Sequence, residues 1–362
     1  MKPSFTFIIL TPGFAADEND STCLPLQQSL IRTIMDIYPR LRVVILSFQY
    51  PYIQTKYQWY GATVFSFNGR NRGGFSRLFL RQKVWKCLQQ LYQSETIIGL
   101  FSFWYGECAA IGKKFSAAYR VKHYCWLLGQ DAKKGNKYPK RYPPEGKELI
   151  ALSDFIELEF KKNFDITPEH VLPPAINPKY HPGGQRSKSI DILAAGSLIP
   201  LKQYALLIPL VAAIKKQFPA VNAVVVGDGP EKRKLLQLIT QAGLEKNLRL
   251  VGELPHQEVG KRMQSAKIFI HPSSYEGFGV VCLEALFAGT PVISFVKPMK
   301  RNIENWHVVT TLEEMVGQAI ILLKATASEA RPQLVYSMEE TTRNLMNLYA
   351  PHEKVESLDA LF

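Results

Sequence analysis

Short apolar runs alternate with amphipathic stretches along this chain, and the series stops and then starts again. In the first half, strand candidates lie at Phe5–Leu10, Leu41–Phe48, Thr63–Phe67, Thr96–Phe101 and His123–Leu128, with helix candidates such as Leu24–Tyr38 and Arg77–Tyr92 between several of them. Such alternation implies a parallel sheet covered by helices. After Pro182-Gly183-Gly184-Gln185-Arg186-Ser187-Lys188-Ser189 the pattern restarts, with strands at Ile190–Ala195, Ala223–Val226, Leu248–Val251, Ile268–His271 and Val292–Phe295. A length of 362 residues suits two domains of ordinary size. The expected fold class is therefore α/β, as two Rossmann-like, doubly wound domains joined near Gly183, with bounds at 1–182 and 183–332 and a terminal segment, 333–362.

Composition narrows the class. Hydrophobic residues make up 46% of the chain, which is globular. Five cysteines (Cys23, Cys87, Cys108, Cys125, Cys282) are scattered without a Cys-x-x-Cys pair, against both a disulfide framework and a zinc site, so a reducing, cytoplasmic setting is expected. Met1–Leu10 reads as a first buried strand rather than a signal segment, since it contains Pro3 and Ser4 and runs into Thr11-Pro12-Gly13. No apolar run approaches the roughly 20 residues that cross a bilayer. The net charge of +13 is uneven: residues 1–150 hold 21 Lys and Arg against 9 Asp and Glu. The first domain is expected to face something anionic, a membrane surface or a phosphorylated acceptor, with nucleic acid not expected.

The segment from Ile268 to Ser294 carries the most chemistry. It reads as a buried strand, a glycine-bearing turn, a helix from about Gly279 to Ala288, and a second apolar strand. In such a unit the loop at the carboxyl end of the strand faces a crevice, and the N–H groups of the helix's first turn favour a bound phosphate. Gly277 and Gly279 have no side chain to block that approach. Glu276 sits in the loop and Glu284 about one and a half turns inside the helix, so the two carboxylates can reach different parts of one ligand. The competing reading is an acidic residue favoured by the helix dipole plus a solvated glutamate.

Glu276 and Glu284 are separated by seven residues, with Pro272-Ser273 before them and Ala288-Gly289-Thr290-Pro291-Val292 after them. This pattern resembles the signature of family 4 retaining glycosyltransferases. The resemblance implies a GT-B fold, with both domains facing a central cleft and the terminal helix candidate, Ser337–Tyr349, crossing back onto the first domain. It also implies that Glu276 contacts the donor sugar and Glu284 the nucleotide ribose, while the backbone of Gly277-Phe278-Gly279 takes the diphosphate. Lys202, in the run Ala195-Gly196-Ser197-Leu198-Ile199-Pro200-Leu201-Lys202 between a strand and a helix, can reach a phosphate and matches the family's phosphate-binding lysine; an exposed surface lysine is the alternative. Ser197 stands where many relatives have an assisting arginine. Leu254, in Leu250-Val251-Gly252-Glu253-Leu254, falls where the backbone meets the base.

In the first domain, Gly13 matches a loop glycine that lets the backbone approach the diphosphate or acceptor, although an ordinary turn glycine fits equally. Trp126-Leu127-Leu128-Gly129-Gln130-Asp131 aligns with a segment in which many relatives carry a histidine before the glycine; Leu128 occupies that place here. Gln130 or Asp131 can substitute for it, and Asp131 is assigned an acceptor-side polar contact, with a helix cap as the alternative. Arg70, Arg72, Arg77, Arg81, Lys83 and Lys86 are interleaved with Phe75, Leu78, Phe79, Leu80, Val84 and Trp85. This fits a basic amphipathic helix lying on anionic lipid, or a helix packed on the sheet with a solvated basic face.

Two other motifs are set aside. Gly106 to Lys114 has five residues between its glycines and lacks the hydroxyl residue of a P-loop; Gly227-Asp228-Gly229-Pro230 lacks the third glycine of a nicotinamide fingerprint and is expected to be structural, with Pro230 starting the next helix. No Asp-x-Asp triplet or His/Cys/carboxylate cluster has ligand spacing, so neither a metal nor a bound cofactor is expected. The expected activity is retaining transfer of a sugar from a nucleoside diphosphate sugar to a hydroxyl of a glycan or lipid-linked acceptor, peripheral on the inner face of the cytoplasmic membrane. An epimerase of the same fold and a non-catalytic nucleotide-sugar-binding subunit are the alternatives.

Overall fold

A computed structural model describes residues 5–181, 186–325 and 331–349. The described chain forms two compact units: the first runs to Pro174 and resumes at Met338, and the second is Ala175–Ser337. The division thus falls a few residues from the expected bounds on both sides. Ile176 bridges to Ser337, and its N–H donates to Tyr336 O at 3.1 Å, which ties the segment after Pro174 to the second unit. Gly183, the expected joint, lies outside the described residues, as do residues 1–4 of the expected first strand Met1–Leu10.

In the first unit the elements are β1 (Phe5–Gly13), α1 (Pro25–Ile37), β2 (Arg42–Tyr50), β3 (Gln54–Trp59), β4 (Ala62–Phe67), α2 (Gly74–Ser94), β5 (Thr96–Phe103), α3 (Glu107–Tyr119), β6 (His123–Leu127), the short α4 (Tyr138–Arg141), β7 (Leu149–Ala151), α5 (Asp154–Phe164) and β8 (His170–Val171). They form a sheet of order β3-β4-β2-β1-β5-β6-β7-β8. All pairings are parallel except β3 with β4, an antiparallel edge absent from the sequence expectation. Strand β3 escapes a periodicity reading because its residues up to Gln58 are mostly exposed, as an edge permits. The central strands are apolar and buried, and Leu80, Val84 and Leu88 of α2 and Ile111 and Phe115 of α3 pack on them.

The second unit contains β9 (Ile190–Ala195), α6 (Leu207–Lys215), β10 (Ala223–Val226), α7 (Lys232–Gln241), β11 (Leu248–Leu250), α8 (His256–Gln264), β12 (Ala266–His271), α9 (Val280–Phe287), β13 (Val292–Ser294), β14 (Trp306–Val308) and α10 (Leu312–Lys324). Its sheet is entirely parallel, in the order β11-β10-β9-β12-β13-β14. This is the dinucleotide-fold order, whose topological switch point lies between β9 and β12. One core of Ile192, Leu210, Val211, Val225, Ile268 and Ile293 sits between the sheet and the helices α6 and α10.

The last described helix, α11 (Met338–Asn347), belongs to the first unit. Tyr349 at its end donates from Oη to Leu100 O at 2.7 Å and meets the Phe7 ring edge to face. Gly99 makes room for it: a Cβ there would lie 2.1 Å from the Tyr349 ring. Among the described residues, no helix is long and apolar enough to cross a membrane.

Candidate functional site

The second unit's switch point is where chemistry collects. Strand β9 ends at Ala195 and hands over to the Gly196–Lys202 loop; β12 ends at His271 and hands over to the loop that carries Glu276. Because β9 and β12 are neighbours, their carboxyl ends bring residues from distant parts of the sequence together. Lys202 Nζ lies 2.5 Å from Glu276 Oε1. The same oxygen accepts from Ser273 Oγ at 2.7 Å and from His271 Nε2 at 3.0 Å.

These contacts set the charge state. Burial alone would push the Glu276 carboxyl up, but hydrogen bonding and charge from His271, then the charge and hydrogen bond of Lys202, hold it down at about 2. Burial lowers His271 overall, outweighing the hydrogen bond and charge of Glu276 that raise it. Glu276 is 15% exposed and Lys202 20% exposed, open enough for a ligand to displace one from the other.

The local backbone is built for close approach. Gly279, the N-cap of α9, has φ +87, a left-handed conformation that disfavours other residues. Phe278 is buried against Trp306 and Tyr336, so its side chain belongs to the core and only its backbone faces the loop. Beneath the first loop, a Cβ on Gly227 would lie 2.0 Å from Gly196 O, and one on Gly229 2.6 Å from Leu198 O. The Gly227–Gly229 turn therefore supports the Gly196 loop. Pro230 precedes Glu231, the N-cap of α7, rather than starting the helix as expected.

Tyr204, which no sequence motif marks, lies against the Gly196 loop. Its buried hydroxyl has no hydrogen-bond partner among the described residues, and a Cβ on Gly196 would sit 2.7 Å from it. Ser197 is exposed beside Gly196. Leu254 is half-buried in the loop after β11, where Gly252 O accepts from Gly227 N at 2.8 Å.

Glu284 lies apart from Glu276. Its Oε1 accepts from His256 Nε2 at 2.9 Å. Burial raises its carboxyl, and the hydrogen bond and charge of His256, with His181 behind, bring it down overall. His256, conversely, is raised by Glu284. His181 completes a half-buried trio in which one ligand-type atom from each residue lies within 4.8 Å of the others. No residue spacing marks this cluster, because its members come from three separate segments.

In the first unit the expected residues do not converge. Gly13 ends β1 without a crowded Cβ position, the nearest atom being Tyr50 Cβ at 3.5 Å. Asp131 is 5% exposed, and its carboxylate accepts backbone N–H groups from Tyr105 at 2.8 Å, Gly129 at 2.8 Å and Leu128 at 3.1 Å. The expected acceptor contact at Asp131 does not fit this place: the side chain ties the turn after β6 to the turn after β5. Arg81 Nε donates to the buried Glu107 at 2.7 Å, with Arg77 at 3.4 Å. The rejected P-loop look-alike is helix α3, where Lys113 pairs with Glu148 at 2.6 Å.

Residues 179–312 match the family described as Glycosyl transferases group 1. The chain is 30% identical over 211 residues to the phosphatidylinositol N-acetylglucosaminyltransferase GPI3 subunit of Saccharomyces cerevisiae, covering 54% of this chain and 47% of that protein. It is 25% identical over 234 residues to the poly(ribitol-phosphate) alpha-N-acetylglucosaminyltransferase of Staphylococcus aureus, covering 60% and 46%. The chain thus spans about half the length of these relatives. The crystal structure of TarM superposes with a TM-score of 0.70 at 12% identity, covering 97% of this chain and 99% of that one. The fold is that of the two-sheet GT-B glycosyltransferases.

Proposed function

We propose that this chain, whose residues 179–312 match the family described as Glycosyl transferases group 1, moves a sugar from a nucleoside diphosphate sugar to a hydroxyl of a phosphate-bearing acceptor, with retention at the anomeric carbon. The observation that carries the reading is the pairing of Lys202 with Glu276 at the switch point of a fully parallel sheet. A diphosphate entering there takes Lys202 as its counter-ion and the first-turn amides of α9 as donors. Glu276, still held by His271 and Ser273, then turns to the sugar hydroxyls. Glu284, with Oε1 held by His256, offers Oε2 to the ribose, and the backbone around Leu254 meets the base. The leaving diphosphate accepts the proton of the attacking hydroxyl on the same face of the sugar, so no separate protein base is required.

Relatives supply the finer terms. Both curated relatives are named N-acetylglucosaminyltransferases, and both named acceptors carry phosphate, which supports a UDP-N-acetylglucosamine donor and suits the basic first half of this chain. A peripheral position on the cytoplasmic face of an anionic membrane fits the first turns of α2, where Phe75 is 81% and Phe79 62% exposed beside Leu78. Tyr52 and Ile53 are also exposed, and Arg70 donates to Tyr52 O at 2.7 Å. The rest of the helix packs inward: Leu80 and Val84 are buried and Trp85 meets Phe115. Only its amino-terminal end fits a lipid surface.

The test is a panel of nucleoside diphosphate sugars assayed by thermal shift, followed by analysis of the product made with the stabilising donor. UDP-N-acetylglucosamine should raise the melting temperature, since saturation at about 100 times Kd contributes ~2.7 kcal/mol. The transferred sugar should keep its anomeric configuration. Absence of any stabilising donor would defeat the reading, and conversion of the donor without acceptor would replace transfer by epimerisation.

A further inference from the structure

We propose that His181, His256 and Glu284 form a binding site for a zinc-type divalent transition metal ion, which ties the segment entering the second unit to α8 and α9. The inference needs no nucleotide and stands apart from the transfer reading. His181 follows the short turn Pro178–Tyr180, His256 is the first residue of α8, and Glu284 lies in the second turn of α9. One ligand atom from each lies within 4.8 Å of the other two.

The tautomer of His181 makes the case. Its Nδ1 lies 2.9 Å from Asn177 O, which can only accept, so Nδ1 carries the proton and Nε2 carries the lone pair. That Nε2 is buried with no hydrogen-bond partner among the described residues. One ring nitrogen held by a backbone carbonyl and the other left unpartnered, in a ring that stands beside a carboxylate and a second imidazole, is the arrangement of a metal-ligating histidine. The cavity is otherwise walled by Gly260, Met263, Phe287 and Ala288, whose side chains offer no competing polar group.

Two imidazoles and a carboxylate suit zinc, with a fourth position left for water, whereas calcium and magnesium favour all-oxygen sites. Bonds of about 2.0–2.1 Å in a tetrahedron place ligand atoms about 3.3 Å apart. His256 Nε2 and Glu284 Oε1 stand at 2.9 Å, and His181 offers a ligand atom within 4.8 Å of theirs. Binding through Nε2 requires the Nδ1-protonated neutral tautomer of His256: the Nε2 proton leaves to solvent, Nδ1 carries the remaining ring proton, taken from solvent if it is not already there, and the ion takes over the bond to Glu284 Oε1. Glu284 is thereby fixed from behind.

The experiment uses the full chain, stripped with a chelator and titrated with Zn2+ against a chromophoric competitor, with Co2+ as a spectroscopic substitute. One Zn2+ should bind per chain, and Co2+ should give the intense visible absorption of a four-coordinate site. Loss of an outer-shell partner costs about 10–100-fold in metal affinity, so His181→Ala should weaken binding by more than about 100-fold. His181→Gln, which keeps the side-chain volume, should do the same while its circular dichroism matches wild type. No stoichiometric binding, or equal affinity in the His181 variants, overturns the site. Either result leaves the donor panel unaffected, so the two readings fail separately.

Discussion

In the second unit the loops after β9 and β12 meet in a charged pair that solvent can reach, Lys202 with Glu276. In the first unit, β1 and β5 flank the corresponding switch point, and the acidic groups nearby are already committed: Glu107 to Arg81 and Gln49, and Asp131 to three backbone N–H groups. The same sheet plan therefore serves two ends. A carboxylate paired with a displaceable lysine is poised for a ligand; one filled by backbone donors is part of the scaffold. Burial and partner type, more than position at a strand end, separate the two.

The largest expected effect breaks or sharpens this contrast directly. Glu276→Ala and Lys202→Ala should each lower the rate of transfer roughly 10²–10³-fold, the scale for removing a preorganised charge-stabilising group. Asp131→Ala should act on stability instead. It strands three buried N–H groups and should cost about 3 kcal/mol in urea unfolding. If Asp131→Ala abolished transfer in a protein of unchanged stability, the first unit would hold a catalytic carboxylate after all.

The two carboxylates should also respond oppositely to pH. Glu276 is depressed to about 2, below the ordinary value of about 4.3. Its stabilisation is complete above that ordinary value and is lost as the pH falls through 2, so the cost of Glu276→Gln should vanish in acid. Asp131 is raised, because burial outweighs the hydrogen bonds from Tyr105, Gly129 and Leu128. Wild type should lose stability as the pH climbs from about 3.9 through that raised value, and Asp131→Asn should gain on it over the same range. Unfolding curves of both variants from pH 2 to 7 decide the matter; parallel profiles would contradict it.

A smaller effect concerns the surface of the first unit. Replacing Phe75 and Phe79 by serine should weaken sedimentation with anionic vesicles roughly 10-fold, on the scale of partly buried aromatic side chains. Wild-type binding should also fall with salt. Unchanged binding of the double variant would remove α2 from the membrane account.

The second unit was the more legible in sequence. Strands β9 and β10 fall at the expected residues because each is a continuous apolar run between turn signals, and Glu276 and Lys202 stand at motif positions that the sheet order then brings together. Strands β7, β8 and β14 have only two or three residues each, too few to establish a period. Asp131 was open to misreading because a charged side chain after a strand looks the same whether it meets a ligand or a backbone turn. His181, His256 and Glu284 meet only through the packing of α8 and α9 against the incoming segment, which no spacing rule records.

The central claim is that the Lys202–Glu276 pair receives a diphosphate, and calorimetric titration of UDP-N-acetylglucosamine into wild type and Lys202→Ala tests it most directly. Saturable one-to-one binding by wild type, weakened at least about 10-fold in the variant as befits loss of a charged hydrogen bond, is the predicted result. Equal affinity in the two proteins, or no binding by wild type of this or any other nucleoside diphosphate sugar, would contradict it.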